Sequence, residues 1–310
     1  MNKRLKDLLQ INYLNGPTMI LKKYISDVLL ILIAIIWALN FSVVKVSLQE
    51  IDALSFNALR YILAAVLLAY TAKARGYSLK VDREDFWPLV GIALVGNVLY
   101  QLFFIIGVDY TYSANSAVIL GTIPVWVALL SHLFTDEKLN RHKAIGIGLA
   151  FTGIVLIVTG SKVGISIASK TFLGDLIILC AAISWGVYTI MAKRYLKKYP
   201  STQFTGVMSL MGMFFLLIIG LPSLTQVNWA GISLKGWGGL IYSGLLSIGL
   251  SYLIWNDSVS KIGAVRTAAY QNLVPVLGLI FGVVLLQEAL TLQQYSGSTL
   301  VIIGIIFSRF

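Results

Sequence analysis

The polar side chains that interrupt the long apolar runs of this chain are mostly aromatic and amide groups, and they recur at helical spacing. Trp37 and Asn40 stand three apart, as do Trp185 and Tyr188; Asn97, Tyr100 and Gln101 share a face, Tyr252 and Asn256 lie four apart, and Tyr270 stands near Asn272. Side chains three or four apart project from one face of a helix. Amides and phenols hydrogen-bond a ligand without the penalty of a buried charge, so these faces suit a cavity for a small amphiphilic or aromatic solute. The same groups also form interfacial belts and cross-helix hydrogen bonds, and spacing alone leaves both roles open.

Two cations, Lys45 and Arg60, fall inside apolar runs. A charge at the centre of a membrane helix costs about 2.5–3.5 kcal/mol, but both lie toward the ends of their runs and are expected to snorkel outward. Glu50, Asp52, Asp109 and Glu288 are on the same side as candidate partners for an outer latch. The two cations are thus either structural anchors or gating and substrate-carboxylate groups. No Asp or Glu lies deep in an apolar run, which favours a facilitator or a weakly coupled carrier over one with a proton relay. Pro124 and Pro275, well inside their runs, each remove a backbone hydrogen bond and bend a helix, as a passive kink or as a hinge. His132, His142 and the single Cys180 are scattered, so no metal site is expected, and Cys180 reads as a packing residue. Neither a cluster of acids or nucleophiles nor a P-loop pattern occurs, so no catalytic residue and no cofactor is expected.

Positioning these groups falls to ten apolar runs, each long enough for a helix to cross roughly 30 Å of hydrocarbon. They cover residues 26–45, 54–73, 87–108, 114–134, 144–161, 173–193, 202–222, 236–256, 265–286 and 292–308. A chain that is 58% hydrophobic and only 12% charged, with a mean hydropathy of +0.84, is an integral membrane protein whose partner is the lipid bilayer. The net charge of +11 is spread over many short loops, so no nucleic-acid partner is expected. With the amino terminus in the cytoplasm, 19 of the 24 Lys and Arg fall on the cytoplasmic side, the bias that orients membrane proteins. Both termini are therefore expected inside a cytoplasmic membrane, with residues 1–23 as a basic cytoplasmic extension.

The chain also repeats itself. WALNFSVVK, from Trp37, returns 148 positions later as WGVYTIMAK, from Trp185; further on the offset is 151 and pairs Pro124 with Pro275, Glu137 with Glu288, Gly146 with Gly297 and Gly153 with Gly304. Five runs per copy make the second copy, residues 172–310, enter the membrane upside down relative to the first, residues 24–161. The expected fold is an all-α integral membrane protein with ten transmembrane helices as two inverted five-helix repeats around a central cavity. The small residues Gly146, Gly148 and Gly153 and their counterparts Gly297, Ser298 and Gly304 permit close helix packing, either within the monomer or across a homodimer.

The opening WALNFSVVK, the arginine of LSFNALRYILAA, and the paired stretches LGTIPVWVALLSHLFTDE and YQNLVPVLGLIFGVVLLQE resemble the EamA branch of the drug/metabolite transporter superfamily. The likeness runs from about residue 24 to the carboxyl end. By position, Pro124, Glu137, Pro275 and Glu288 match the family's recurring pattern; Thr135-Asp136-Glu137 departs from its usual Gly-Glu pair. The resemblance implies a secondary carrier whose cavity is formed by spans one, three, four, six, eight and nine, working by alternating access on a small-molecule substrate. Export of amino acids is the preferred reading, with metabolite uptake and efflux of lipophilic toxicants as rivals. A membrane-embedded lipid-modifying enzyme would need an interfacial cluster of acids, histidines or metal ligands.

Overall fold

The computed structural model describes residues 17–111, 113–135, 139–159, 169–286 and 291–307, and these hold helices and no strand. In chain order the helices are α1 (Pro17–Ser47), α2 (Ala53–Ala74), α3 (Phe86–Tyr110), α4a (Ser113–Leu120), α4b (Ile123–Phe134), α5 (Arg141–Thr159), α6 (Ser169–Tyr195), α7 (Ser201–Leu224), α8 (Leu234–Ile262), α9a (Ala264–Ala269), α9b (Leu273–Leu286) and α10 (Leu292–Phe307). Six of them, α1, α2, α3, α6, α7 and α8, are long and apolar enough to cross a membrane. α1 starts at Pro17, a residue suited to a first turn because its missing N–H has no partner there, so residues 17–23 belong to the helix.

Two expected spans arrive in two pieces. The helix over 114–134 ends at Leu120, turns through Gly121 and Thr122, and restarts at Ile123; the one over 265–286 passes through a single 3₁₀ turn, Tyr270–Asn272, before restarting at Leu273. Pro124 and Pro275 therefore do not bend continuous helices but sit in the first turns of α4b and α9b, where a missing N–H breaks no bond. At the first break Thr122 Oγ1 donates to the Ile119 carbonyl at 2.6 Å and accepts from Trp126 Nε1 at 3.2 Å. α3 and α8 stay continuous, but each contains a π-helical stretch, Leu94–Leu99 and Tyr242–Leu250, a distortion frequent at functional sites.

α2 packs along α7, α3 along α6, α5 along α10, and α1 against α8 and α9b. The α5–α10 contact is made backbone to backbone: a Cβ on Gly153 would lie 2.5 Å from the Gly297 carbonyl oxygen, and one on Gly304 2.5 Å from that of Gly146. The small-residue stripes thus pack against each other inside the monomer. Cys180 points outward from α6 and is not a packing residue. The core lies between α1, α3, α6 and α8, where the Trp185 ring meets those of Trp37, Tyr100, Tyr188, Tyr252 and Trp255 with centroids between 4.7 and 6.2 Å apart.

Candidate functional site

Beside that aromatic cluster is a narrow cleft with a cavity volume of about 30 Å³, walled by α1, α2, α3, α8 and the two interrupted helices. Trp37, Asn40, Tyr100, Gln101 and Tyr252 line it, and so does Arg60. Phe41, Phe104, Ser247 and Gln271 complete the polar and aromatic wall. Trp185 and Tyr188 stand one layer behind as fully buried packing, and Tyr188 shares hydrogen bonds with Asn256 at 2.8 and 3.2 Å. Asn97 and Asn256, which share faces with the candidates, tie helices together instead: Asn97 Nδ2 donates to the Met208 carbonyl at 2.7 Å and Asn256 Nδ2 to Thr205 Oγ1 at 3.0 Å. Tyr270 and Asn272 are buried at the α9 interruption and do not line the cleft. Pro275 directly follows the lining Val274, and Pro124 comes three residues after the lining Gly121.

One bond in the cleft wall joins two positions that the sequence repeat pairs. Gln101 and Tyr252 are related by the 151-residue offset, and Gln101 Nε2 donates to the Tyr252 hydroxyl at 2.5 Å across the cleft wall. Trp37 Nε1 donates to the Ser247 carbonyl at 3.0 Å, within the π-helical stretch of α8, whose carbonyls are displaced from the regular ladder.

Arg60 departs from expectation. It does not snorkel outward: it is 1% exposed, with Phe56 and Phe104 rings 5.5 and 5.3 Å from its guanidinium carbon. Its donors reach Asn57 Oδ1 at 3.0 and 2.9 Å, Gln101 Oε1 at 2.6 Å and Ser243 Oγ at 3.0 Å. Snorkelling needs an open path to the interface. Arg60 faces the bundle interior, where these hydrogen bonds replace hydration.

The outer latch of ion pairs also takes another form. Asp52 caps α2, accepting from Leu54 N and Ser55 N at 3.1 and 3.0 Å. Glu50 accepts from Ser233 N and Oγ, both at 2.7 Å, which holds its carboxyl below the usual range and ties the α1–α2 turn to the start of α8. Lys45 Nζ donates to the backbone carbonyl of Asp109 at 3.2 Å, joining the ends of α1 and α3. Glu137 and Glu288 lie outside the described residues.

A buried acid that spacing does not single out ties α1 to α9 toward the opposite end. Asp27, one turn into the apolar stretch of α1, is 6% exposed; Arg266 Nη2 donates to its Oδ1 and Oδ2 at 2.7 and 3.1 Å, and the Tyr270 hydroxyl donates to Oδ1 at 2.7 Å. A pair 239 residues apart leaves no signal in local periodicity, although Asp27 and Asp175 are mates under the 148-residue offset. Among the described residues the one group of acids with metal-like spacing, Asp82, Glu84 and Asp85, already surrounds Lys198 Nζ at 2.8, 3.2 and 2.6 Å. The ammonium holds Asp85 below the usual carboxylate range and supplies the charge that an ion would bring.

The EamA-like transporter family model matches residues 24–159 and again 172–310. The uncharacterized transporter YoaV of Bacillus subtilis is 26% identical over 283 residues, covering 91% of this chain and 95% of its own. An uncharacterized transporter of Archaeoglobus fulgidus is 28% identical over 281 residues, covering 90% and 96%. A crystal structure sharing 18% identity superposes with a TM-score of 0.75 over 90% of this chain and 94% of the other, which shows a common fold. Apolar helices surrounding a polar, aromatic cleft and a family model matched once in each half have one meaning: the chain belongs to the EamA-like transporter family, as a multi-pass membrane transporter.

Proposed function

We propose that this protein is a secondary carrier that moves small metabolites, with amino-acid export as the leading reading, across the cytoplasmic membrane by alternating access. In this reading ten helices form two inverted five-helix repeats. The helix contacts support it: exchanging each helix n with helix n+5 turns the α3–α6 contact into α8–α1 and the α4b–α6 contact into α9b–α1, while α2–α7 and α5–α10 map onto themselves. Inverted repeats provide two near-equivalent packings of one molecule, the physical basis of alternating access.

The observation that carries the proposal is the cleft: aromatic walls, amides and one cation, beside two helices interrupted at equivalent places. Interrupted helices free backbone groups where a cavity or a solute can use them. With both termini in the cytoplasm, the side to which the basic loops belong, the Asp27–Arg266–Tyr270 contact ties α1 to the interrupted helix α9 toward the inner end.

Purified protein in liposomes loaded with unlabelled solute is expected to accumulate labelled solute of the same class by counterflow, with amino acids the strongest class. Accumulation of lipophilic cations alone would replace this reading with toxicant efflux. Chemical alteration of a solute without movement would assign an enzyme.

A further inference from the structure

Arg60 is a buried cation with no buried anion beside it. A guanidinium offers five N–H donors. Four are used, two on Asn57 Oδ1 and one each on Gln101 Oε1 and Ser243 Oγ, and every acceptor is neutral. Among the described residues no carboxylate forms an ion pair with it. Two further defects share the same cleft: Asn40 and Gln271, 4% and 6% exposed, line it with their amide oxygens Oδ1 and Oε1 unbonded. Each such group raises the free energy of the empty protein. Three of them converging on one cavity form a site whose missing partners belong to a ligand.

We propose that Arg60 binds the anionic group of the transported solute, a carboxylate or a phosphate ester, while the amides of Asn40 and Gln271 receive its remaining polar groups. The inference rests on the carrier reading and names the chemistry its solute must have. The one N–H left free, on Nη1, donates to either oxyanion as a charge-assisted hydrogen bond, and exclusion of water by Phe56 and Phe104 strengthens that attraction. The apolar body of the solute then lies against Trp37, Tyr100 and Tyr252.

A structural role for Arg60, pinning α2 to α3 and α8, predicts something different from a binding role, and one isosteric change separates them. Gln101→Glu places a carboxylate on the atom that already accepts from Arg60 at 2.6 Å, and the Tyr252 hydroxyl can turn to donate to it. The cation then has an internal counter-charge, and the solute must compete with it. In liposomes carrying full-length protein, a panel of carboxylates, phosphate esters, amines and neutral solutes is tested by counterflow on wild type and Gln101→Glu. The thermal midpoint of each protein is read in parallel. Uptake by wild type is expected to be confined to anionic or zwitterionic members, the first two arms showing which oxyanion is preferred. Gln101→Glu is expected to lower that uptake about 10- to 100-fold, the worth of a charge-assisted contact, at an unchanged or raised thermal midpoint. Wild-type uptake of neutral solutes or amines, or undiminished anion uptake by Gln101→Glu, overturns the proposal while leaving the carrier intact. Absence of uptake for every class overturns the carrier reading itself. Should Gln101→Glu fail to fold, Asn57→Asp brings the same charge to the guanidinium from α2, with the same two outcomes.

Discussion

Two buried arginines, Arg60 and Arg266, meet opposite surroundings. Arg266 lies at one end of the bundle on a carboxylate, with a tyrosine hydroxyl on the same oxygen; Arg60 lies in the cleft among amides and a serine. Both are less than a tenth exposed. The protein had the means to neutralise a buried guanidinium and did so at one site only. A paired charge is a strut whose worth depends on its partner staying in place. An unpaired one, held by neutral acceptors against a cavity, is a site in waiting.

The largest expected effect comes from breaking the strut. Asp27→Asn keeps the shape and removes the charge, leaving Arg266 buried without compensation; such a loss costs about 3 kcal/mol or more. A clear fall in the thermal midpoint of the purified protein is the check. Adding Arg266→Gln to the same chain should restore much of the loss, because the buried charge is then gone. If the double variant is no better than the single, Arg266 is compensated by something other than Asp27.

Next in size is a lesion remote from both arginines. Gly304→Ala forces a Cβ to within 2.5 Å of the Gly146 carbonyl oxygen, and overpacking of this sort costs about 1–3 kcal/mol. Gly148→Ala, with nothing within 4 Å of the new Cβ, should be silent. Neither should change the solute concentration for half-maximal uptake per folded molecule. A shift in that concentration for Gly304→Ala would mean that the α5–α10 pair shapes the cleft as well as the fold.

Arg60→Met tests the other half of the contrast. It removes an uncompensated charge but leaves Asn57 Oδ1 and Gln101 Oε1 without their donor. The two contributions oppose each other, so the stability change should stay under about 2 kcal/mol, smaller than for Asp27→Asn. Counterflow, by contrast, should fall at least as far as for Gln101→Glu. A thermal midpoint that collapses as far as that of Asp27→Asn would class Arg60 as a second strut.

Sequence patterns reach the helices and the aromatic faces but stop short of partner choice. Apolar runs located most of the described helices within a few residues, but α1 begins nine residues before its run and α8 continues six residues past its own; Trp37, Asn40, Tyr100, Gln101 and Tyr252, chosen by spacing and repetition, do line one cleft. Periodicity could not say that Arg60 turns inward, because snorkelling depends on what stands between the side chain and the interface. Nor could it see that Pro124 and Pro275 follow their breaks, since a proline inside a run reads equally as a kink or as a restart. Gln271 was hidden beside the more conspicuous Tyr270 and Asn272. Asp27 sat at the edge of a run, where an acid looks like ordinary interfacial polarity; only its distant partners show otherwise.

The smallest effect belongs to a cation that is paired yet exposed. Lys198 touches Asp82, Glu84 and Asp85, but its side chain is 40% exposed and those of Asp82 and Glu84 are 59% and 80% exposed. If pairing alone made the difference between the two arginines, Lys198→Met should resemble Asp27→Asn; if burial decides, its effect should be slight and screened by salt. The pH window follows from the charges. The Lys198 ammonium and the Tyr199 hydroxyl depress the Asp85 carboxyl, so its contribution is complete above the ordinary carboxylate value near 4 and is lost as pH falls through its lowered folded value. Lys198 is raised by those same carboxylates, so its contribution is complete below its ordinary value near 10.4 and fades only at still higher pH. The difference in thermal midpoint between Lys198→Met and wild type should therefore be small and flat from about pH 5 to 9, and should shrink as pH falls below about 3. In 1 M salt, where the Debye length is about 3 Å, it should nearly vanish, while that of Asp27→Asn persists. Equal salt sensitivity in the two variants would place Asp27 and Arg266 in contact with water and remove the basis for treating them as a buried strut.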